Sequence, residues 1–182
     1  MRSGLVFVDF VARDGRRVVL RAPRWEDLDD LLGLINSLVE EEAEIVVNER
    51  VTRDGEVEWL ASVLARVERD EFVHLVAEVD GRVVASADLH PGRGSDSHVG
   101  VVGIVVKDGF RGVGVGTRML EVIVDVARKR GLRLLVLSVF ASNVRAVRLY
   151  ERVGFVRCGL VPLRHFSKGK YVDEVVMAKS LV

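Results

Sequence analysis

The sequence predicts an α/β (α+β) fold with about seven strands and four helices, preceded by one extra N-terminal strand. Three observations carry this expectation. Val99 to Arg130 reads as an apolar strand, a glycine-rich turn and a long amphipathic helix. Asp14-Gly15 and Asp80-Gly81 are hairpin dipeptides, each set between β-branched runs. Strand-like runs and helical stripes alternate along the chain with no interdomain linker, internal repeat or low-complexity tract. At 182 residues, the expected organisation is a single domain, 1–182, long enough to bury a core.

Leu5 to Val11 alternates loosely and reads as a strand, paired through Asp14-Gly15 with Arg17 to Arg21. Pro23 breaks the pattern. Leu28, Leu31, Leu32, Ile35, Leu38 and Val39 form one helical stripe, with acidic residues from Glu26 to Asp30 favouring its N-terminal end. Glu40 to Glu44 is read as a solvated helix end and loop, or as the mouth of a site for a cationic amine. Thr52 or Asp54 caps a second helix with Val57, Leu60, Leu64 and Val67 on its core face. Phe72 to Glu78 and Arg82 to Leu89 form the next hairpin, followed by a loop over 91–97. In the central helix Val115, Met119, Leu120, Ile123, Val126 and Ala127 share a face, opposite Arg118, Glu121, Asp125 and Arg128. Leu132 to Phe140 is a strand, Asn143 to Val153 a short helix stopped by Gly154. Phe155 to Leu163 and Tyr171 to Ala178 are the last strands, joined across 165–170.

Composition excludes several functions. A hydrophobic share of 49% with 30% charged residues is that of a globular chain and not of a disordered one. Net charge is zero, so no overall basic field points to nucleic acid. Asp9 and Arg13 interrupt the only apolar N-terminal segment, and no run reaches membrane-spanning length, so neither a signal peptide nor a membrane partner is expected. Cys158 is the single cysteine, which fits a cytoplasmic protein without an intrachain disulfide. With His74, His90, His98 and His165 scattered, no metal site is expected.

The turn Arg111-Gly112-Val113-Gly114-Val115-Gly116-Thr117 lies between a strand and a helix, where exposed backbone N–H groups and the positive helix end attract an anion. A phosphate-bearing ligand follows. No lysine precedes Thr117, which excludes a Walker A loop, and neither glycine register completes G-x-G-x-x-G. Arg-x-x-Gly-x-Gly, in Arg111, Gly114 and Gly116, is similar to the pyrophosphate loop of the GNAT superfamily of N-acetyltransferases. Asn143-x-x-Ala146-x-x-Leu149-Tyr150-x-x-x-Gly154-Phe155, one helix and one strand later, resembles that superfamily's second segment. The resemblance covers roughly Val18 to Leu181 and implies a mixed, mostly antiparallel central sheet flanked by helices.

It also implies roles. The backbone of Ile104, Val105 and Val106 would meet the acetyl and pantetheine groups of acetyl-CoA. Main-chain N–H groups from Gly112 through Val113, Gly114, Val115 and Gly116 to Thr117 would hold its pyrophosphate. Arg111 either contacts phosphate or holds the turn. Asn143 either contacts the pantetheine arm or caps its helix, and both can hold at once. Tyr150 would be the general acid for the leaving thiolate; the alternative is an aromatic packed in the core. Gly103 marks a strand bulge or a close approach. The base stays open: Ser138 stands where some relatives of this kind carry glutamate, and His98, Asp88, Glu42 and Glu44 are candidates by location in the chain. Glu42 and Glu44 are also the candidate substrate residues.

The implied activity is transfer of acetyl from acetyl-CoA directly to a primary amine, with no metal. The amine partner would be a small molecule, an amino acid, a polyamine or a protein N-terminus, and a homodimer stays open. Gly169 to Met177 looks like the closing hairpin of subgroups that act on such amines. Cys158 lies in a strand-like run without an adjacent base, against a covalent route. The alternatives are a non-catalytic acyl-CoA-binding module of the same fold and, failing on motif register, a nucleotide-binding regulator.

Overall fold

The computed structural model describes residues 2–182. Strands β1 (Val6–Val11), β2 (Arg17–Arg21), β3 (Val73–Val79), β4 (Arg82–Pro91), β5 (Val99–Val106), β6 (Leu134–Phe140), β7 (Val156–Ser167) and β8 (Lys170–Ser180) form one sheet. Its spatial order is β1-β2-β3-β4-β5-β6-β8-β7. Every neighbouring pair is antiparallel except β5 and β6. Parallel neighbours need a long crossover, which α3 (Val115–Lys129) supplies. The extra N-terminal strand is β1, at the sheet's edge, so the expected mixed and mostly antiparallel architecture holds.

Strand alternation splits the core in two. Leu75, Ala77, Ala85, Ala87 and Leu89 belong to a cluster with Met119, Leu120 and Ile123 of α3. Val76 and Val83 belong to a second cluster with Leu31, Leu34 and Leu38 of α1 (Leu28–Glu40) and Leu60, Val63 and Val67 of α2 (Arg53–Glu68). Ser86, Asp88 and His90 alternate with the first set and so stand on the α1/α2 side of β4. The last helix, α4 (Val144–Val153), adds Val147 and Tyr150 to the α3 cluster. Among the described residues no helix is long and apolar enough to cross a membrane.

Several ends differ from expectation for identifiable reasons. Thr52, and not Asp54, caps α2, its hydroxyl accepting from the Gly55 N–H at 3.2 Å. Asp27, read as a favourable helix-end charge, instead accepts two 2.7 Å hydrogen bonds from buried Arg21. The closing hairpin is longer than its pattern: β7 runs to Ser167, and the turn is only Lys168-Gly169, both at positive φ. Register shifts at Arg157/Gly159 and Val161/His165 break the period-two alternation that would have revealed it.

Candidate active site

The site exists because two strands part. β5 and β6 pair only from Val99↔Leu134 to Val101↔Val136. Beyond that point β5 stays with β4 as far as Val106, and β6 stays with β8 as far as Phe140. Each strand is thereby left with one edge that has no neighbouring strand and faces a wedge. A cavity of about 700 Å³ fills it, lined by Val102 to Val106 on one side and Ser138 to Phe140 on the other. The volume lies within the range of ordinary ligand pockets.

One end of the wedge is an anion cradle. Gly112 and Gly114 have φ of +79° and +105°, conformations that side-chain-bearing residues rarely adopt. Gly114 is the N-cap of α3 and no side chain caps that helix. The first intrahelical bond is Arg118 N–H to the Gly114 carbonyl at 3.0 Å, so the N–H groups of Val115, Gly116 and Thr117 precede the ladder. A Cβ at Gly116 would sit 3.1 Å from Leu149 Cδ2, so glycine also lets α3 approach α4. Gly112, Gly114, Gly116, Thr117 and Arg111 line the cavity. Val113 and Val115 do not: the Val113 carbonyl accepts from the Arg13 N–H at 2.9 Å, and the Val115 side chain is buried in the core. Arg111 holds the turn, its Nε donating to the Val106 carbonyl at 2.7 Å and its guanidinium pairing with Glu41.

The other end carries titratable groups. Asp88 lines the cavity because its neighbour across the β4–β5 ladder is Gly103. A Cβ there would lie 3.0 Å from one carboxylate oxygen and 3.1 Å from the other. The ladder is regular at this point, so Gly103 is a close approach and not a bulge. Asp88 Oδ1 lies 3.0 Å from His90 Nε2, and His90 stacks on Phe72 at 4.9 Å. Tyr150 is buried, packs edge-on to Phe155 at 6.0 Å and reaches the same cavity. Burial pushes its pKa up to about 12, and the Asp88 charge adds to the effect. Phenol and carboxylate therefore sense one another across the wedge.

Asn143 caps α4, its Oδ1 accepting from the Ala146 N–H at 3.0 Å. It also lines the cavity, with its amide N–H groups outside that cap. Of the candidate bases, Asp88, Glu42 and Glu44 line the cavity and His98 does not. His98 precedes β5 at the paired end of the strands, where its carbonyl accepts from Arg133 N–H at 2.8 Å. Ser138 lines the cavity as an exposed hydroxyl, while Cys158 is exposed elsewhere. Glu42 lies 3.9 Å from Lys168, so the segment after α1 is tied to Arg111 through Glu41 and to the β7–β8 turn through Glu42. Sequence reasoning placed Glu41 only within the acidic run 40–44, and missed Lys168, Arg13 and Arg145 at this cavity. These three are ordinary charged loop or helix residues, and only the tertiary fold gathers them.

A phosphate cradle at one end of a wedge and paired proton-handling groups at the other suit group transfer from a long phosphorylated carrier. The acetyltransferase (GNAT) family model matches residues 25–155. The chain belongs to this family and is an acetyltransferase. It is 25% identical over 157 residues to the L-methionine sulfoximine/L-methionine sulfone acetyltransferase of Pseudomonas paraeruginosa, covering 85% of this chain and 90% of that one. A ribosomal-protein-alanine N-acetyltransferase from Brucella melitensis superposes with a TM-score of 0.78 at 29% identity, over 88% of this chain and 98% of that one. The same fold, at a TM-score of 0.79 and 18% identity over 90% and 88% of the two chains, holds acetyl-CoA in a phosphinothricin acetyltransferase from Sinorhizobium meliloti.

Proposed function

We propose that the chain transfers acetyl from acetyl-CoA directly to a primary amine of amino-acid size, with no covalent enzyme intermediate. The observation that carries this reading is that Asp88 and Tyr150 line one cavity, in the wedge where β5 and β6 part. The glycine turn fits the donor's pyrophosphate through the N–H groups at the start of α3, aided by the Thr117 hydroxyl. The open edge of β5 from Ile104 to Val106, apart from the Val106 carbonyl that Arg111 holds, and the spare amide of Asn143 suit the pantetheine arm, which is itself amide-rich. Asp88 takes the proton that the amine nitrogen loses as its bond to the acetyl carbon forms, while His90 steadies the carboxylate. Tyr150 gives its phenolic proton to the sulfur as the carbon–sulfur bond breaks. The raised pKa keeps that proton in place at neutral pH.

A small acceptor is favoured by the segment following α1, which Glu41 and Glu42 strap across the wedge mouth. Relatedness over nearly the whole chain to an acetyltransferase named for methionine sulfoximine points the same way. Free-thiol release from acetyl-CoA tests the reading, with a panel of amino acids, polyamines and peptides bearing free N-termini. Turnover is expected with amino-acid-sized amines, lowered about 10²- to 10⁴-fold in Tyr150→Phe and Asp88→Asn while CoA binding persists. CoA binding without turnover on any amine would replace the enzyme with a binding module.

A further inference from the structure

The β1–β2 hairpin is not idle decoration at the sheet edge; its tip sits on the glycine turn. The Arg13 N–H donates to the Val113 carbonyl at 2.9 Å, adding a backbone bond to the middle of that turn. Arg16 Nη2 donates to the Gly109 carbonyl at 2.6 Å, and its guanidinium lies 4.0 Å over the Phe110 ring. Arg16 also pairs with Asp14 at the hairpin turn, so its charge is already answered. Arg13 is different. Its Cγ lies 4.0 Å from the Cβ position of Gly114, and the residue lines the cavity. Among the described residues no carboxylate pairs with its guanidinium. Beside Gly112, Arg145 Nη2 lies 3.2 Å from the Cβ position of that glycine. Among the described residues no carboxylate pairs with Arg145 either.

We infer that the hairpin is a third wall of the coenzyme site, and that Arg13 pairs with the donor's pyrophosphate alongside Arg145. The inference rests on acetyl-CoA being the donor. Its logic is electrostatic: the turn's N–H groups carry partial charge only, whereas a pyrophosphate esterified by one ribose and one pantetheine is dianionic. Two unanswered guanidiniums flanking the turn complete the neutralisation, and the Arg13–Val113 backbone bond fixes where one of them stands. The clasp through Arg16 makes that placement independent of any ligand.

The test is the affinity of the full chain for CoA, for 3′-dephospho-CoA and for pantetheine, in wild type, Arg13→Ala and Arg13→Lys. Arg13→Ala is expected to weaken CoA and 3′-dephospho-CoA alike, by about tenfold, the scale of one charge-assisted hydrogen bond. Pantetheine, which has no pyrophosphate, is expected to bind all three proteins equally. Arg13→Lys should restore part of the loss, and the salt dependence of CoA binding should flatten in Arg13→Ala. Unchanged CoA affinity in Arg13→Ala overturns the inference. So does a loss confined to CoA, which would assign Arg13 to the 3′-phosphate, or an equal loss for pantetheine, which would make the residue merely structural. A wild type that binds none of the three defeats the donor assignment itself, an outcome separate from all of these.

Discussion

Tyr150 shows how one side chain can satisfy two readings of the sequence. It packs in the α3-side core like any buried aromatic, yet it also lines the cavity. Burial disfavours the phenolate, and the Asp88 carboxylate adds like-charge repulsion, so the pKa moves from 10.0 to about 12. The sign matters for catalysis. A donor must be protonated to act, and raising its pKa extends the protonated range upward. The rate is therefore expected to show no alkaline limb from Tyr150 below about pH 11 under saturating acetyl-CoA. A kcat profile measured from pH 7 to 11 in wild type and Tyr150→Phe checks this. A fall centred near pH 10 that vanishes in the variant would place the phenol in a more polar setting than the one described. Asn143 caps its helix through its oxygen and keeps its amide available. Arg111 braces the turn through the Val106 carbonyl and Glu41, which leaves a phosphate contact as a separate question.

At the scale of elements, the sheet is tied to α1 through a buried network that the sequence pattern hides. Arg21 of β2 is 3% exposed and donates to both Asp27 oxygens at 2.7 Å and to Glu78 of β3 at 2.7 Å. Asp27, equally buried, also accepts from the Arg24 N–H at 2.9 Å, which closes the turn leading into α1. Removing Arg21 leaves Asp27 buried without its main counter-charge. Arg21→Ala is expected to destabilise by about 3–5 kcal/mol. Arg17→Ala, which breaks an exposed pair with Asp9, should cost under about 1 kcal/mol. Urea unfolding of both variants checks the contrast, and similar losses would mean that burial does not govern these pairs. Most elements were legible because hydrophobic period and turn chemistry agree, as at Asp80-Gly81 or along α3. The strand β7 was read from Phe155 to Leu163 but its extension to Ser167 was not, because two register shifts put apolar residues out of phase. The wedge was legible only through the resemblance, which set the backbone of Ile104 to Val106 against the coenzyme, and not through the residues themselves. A strand paired on one edge and a strand paired on both show the same side-chain alternation, so nothing in Val102 to Val106 signals a lost neighbour. Asp88 could be placed among the candidate bases by position alone. What singles it out is Gly103 across the ladder, a glycine whose purpose appears only once the two strands are in register.

The whole molecule converges on the cavity, since its walls come from the β1–β2 tip, the segment after α1, β4, β5, β6, α3, α4 and the β7–β8 turn. Such a site does not exist in the unfolded chain, so a ligand that fills it stabilises the entire fold by mass action. Acetyl-CoA at about 100 times its dissociation constant should add about 2.7 kcal/mol, raising Tm by roughly 5–10 °C for a chain of this size. The division of labour within the wedge sharpens the expectation. In the proposed mechanism Asp88 serves the amine and the glycine turn serves the coenzyme, so Asp88→Asn should keep the full shift while losing turnover. A thermal melt of wild type and variant, with and without acetyl-CoA, measures both quantities on one scale. If Asp88→Asn abolished the shift, the carboxylate would belong to the coenzyme's surroundings, and the proton would have to leave the amine through Glu42, Glu44 or bulk water. If the shift survives and turnover does not, the two ends of the wedge act as separable parts of one machine, joined only by the strands that part between them.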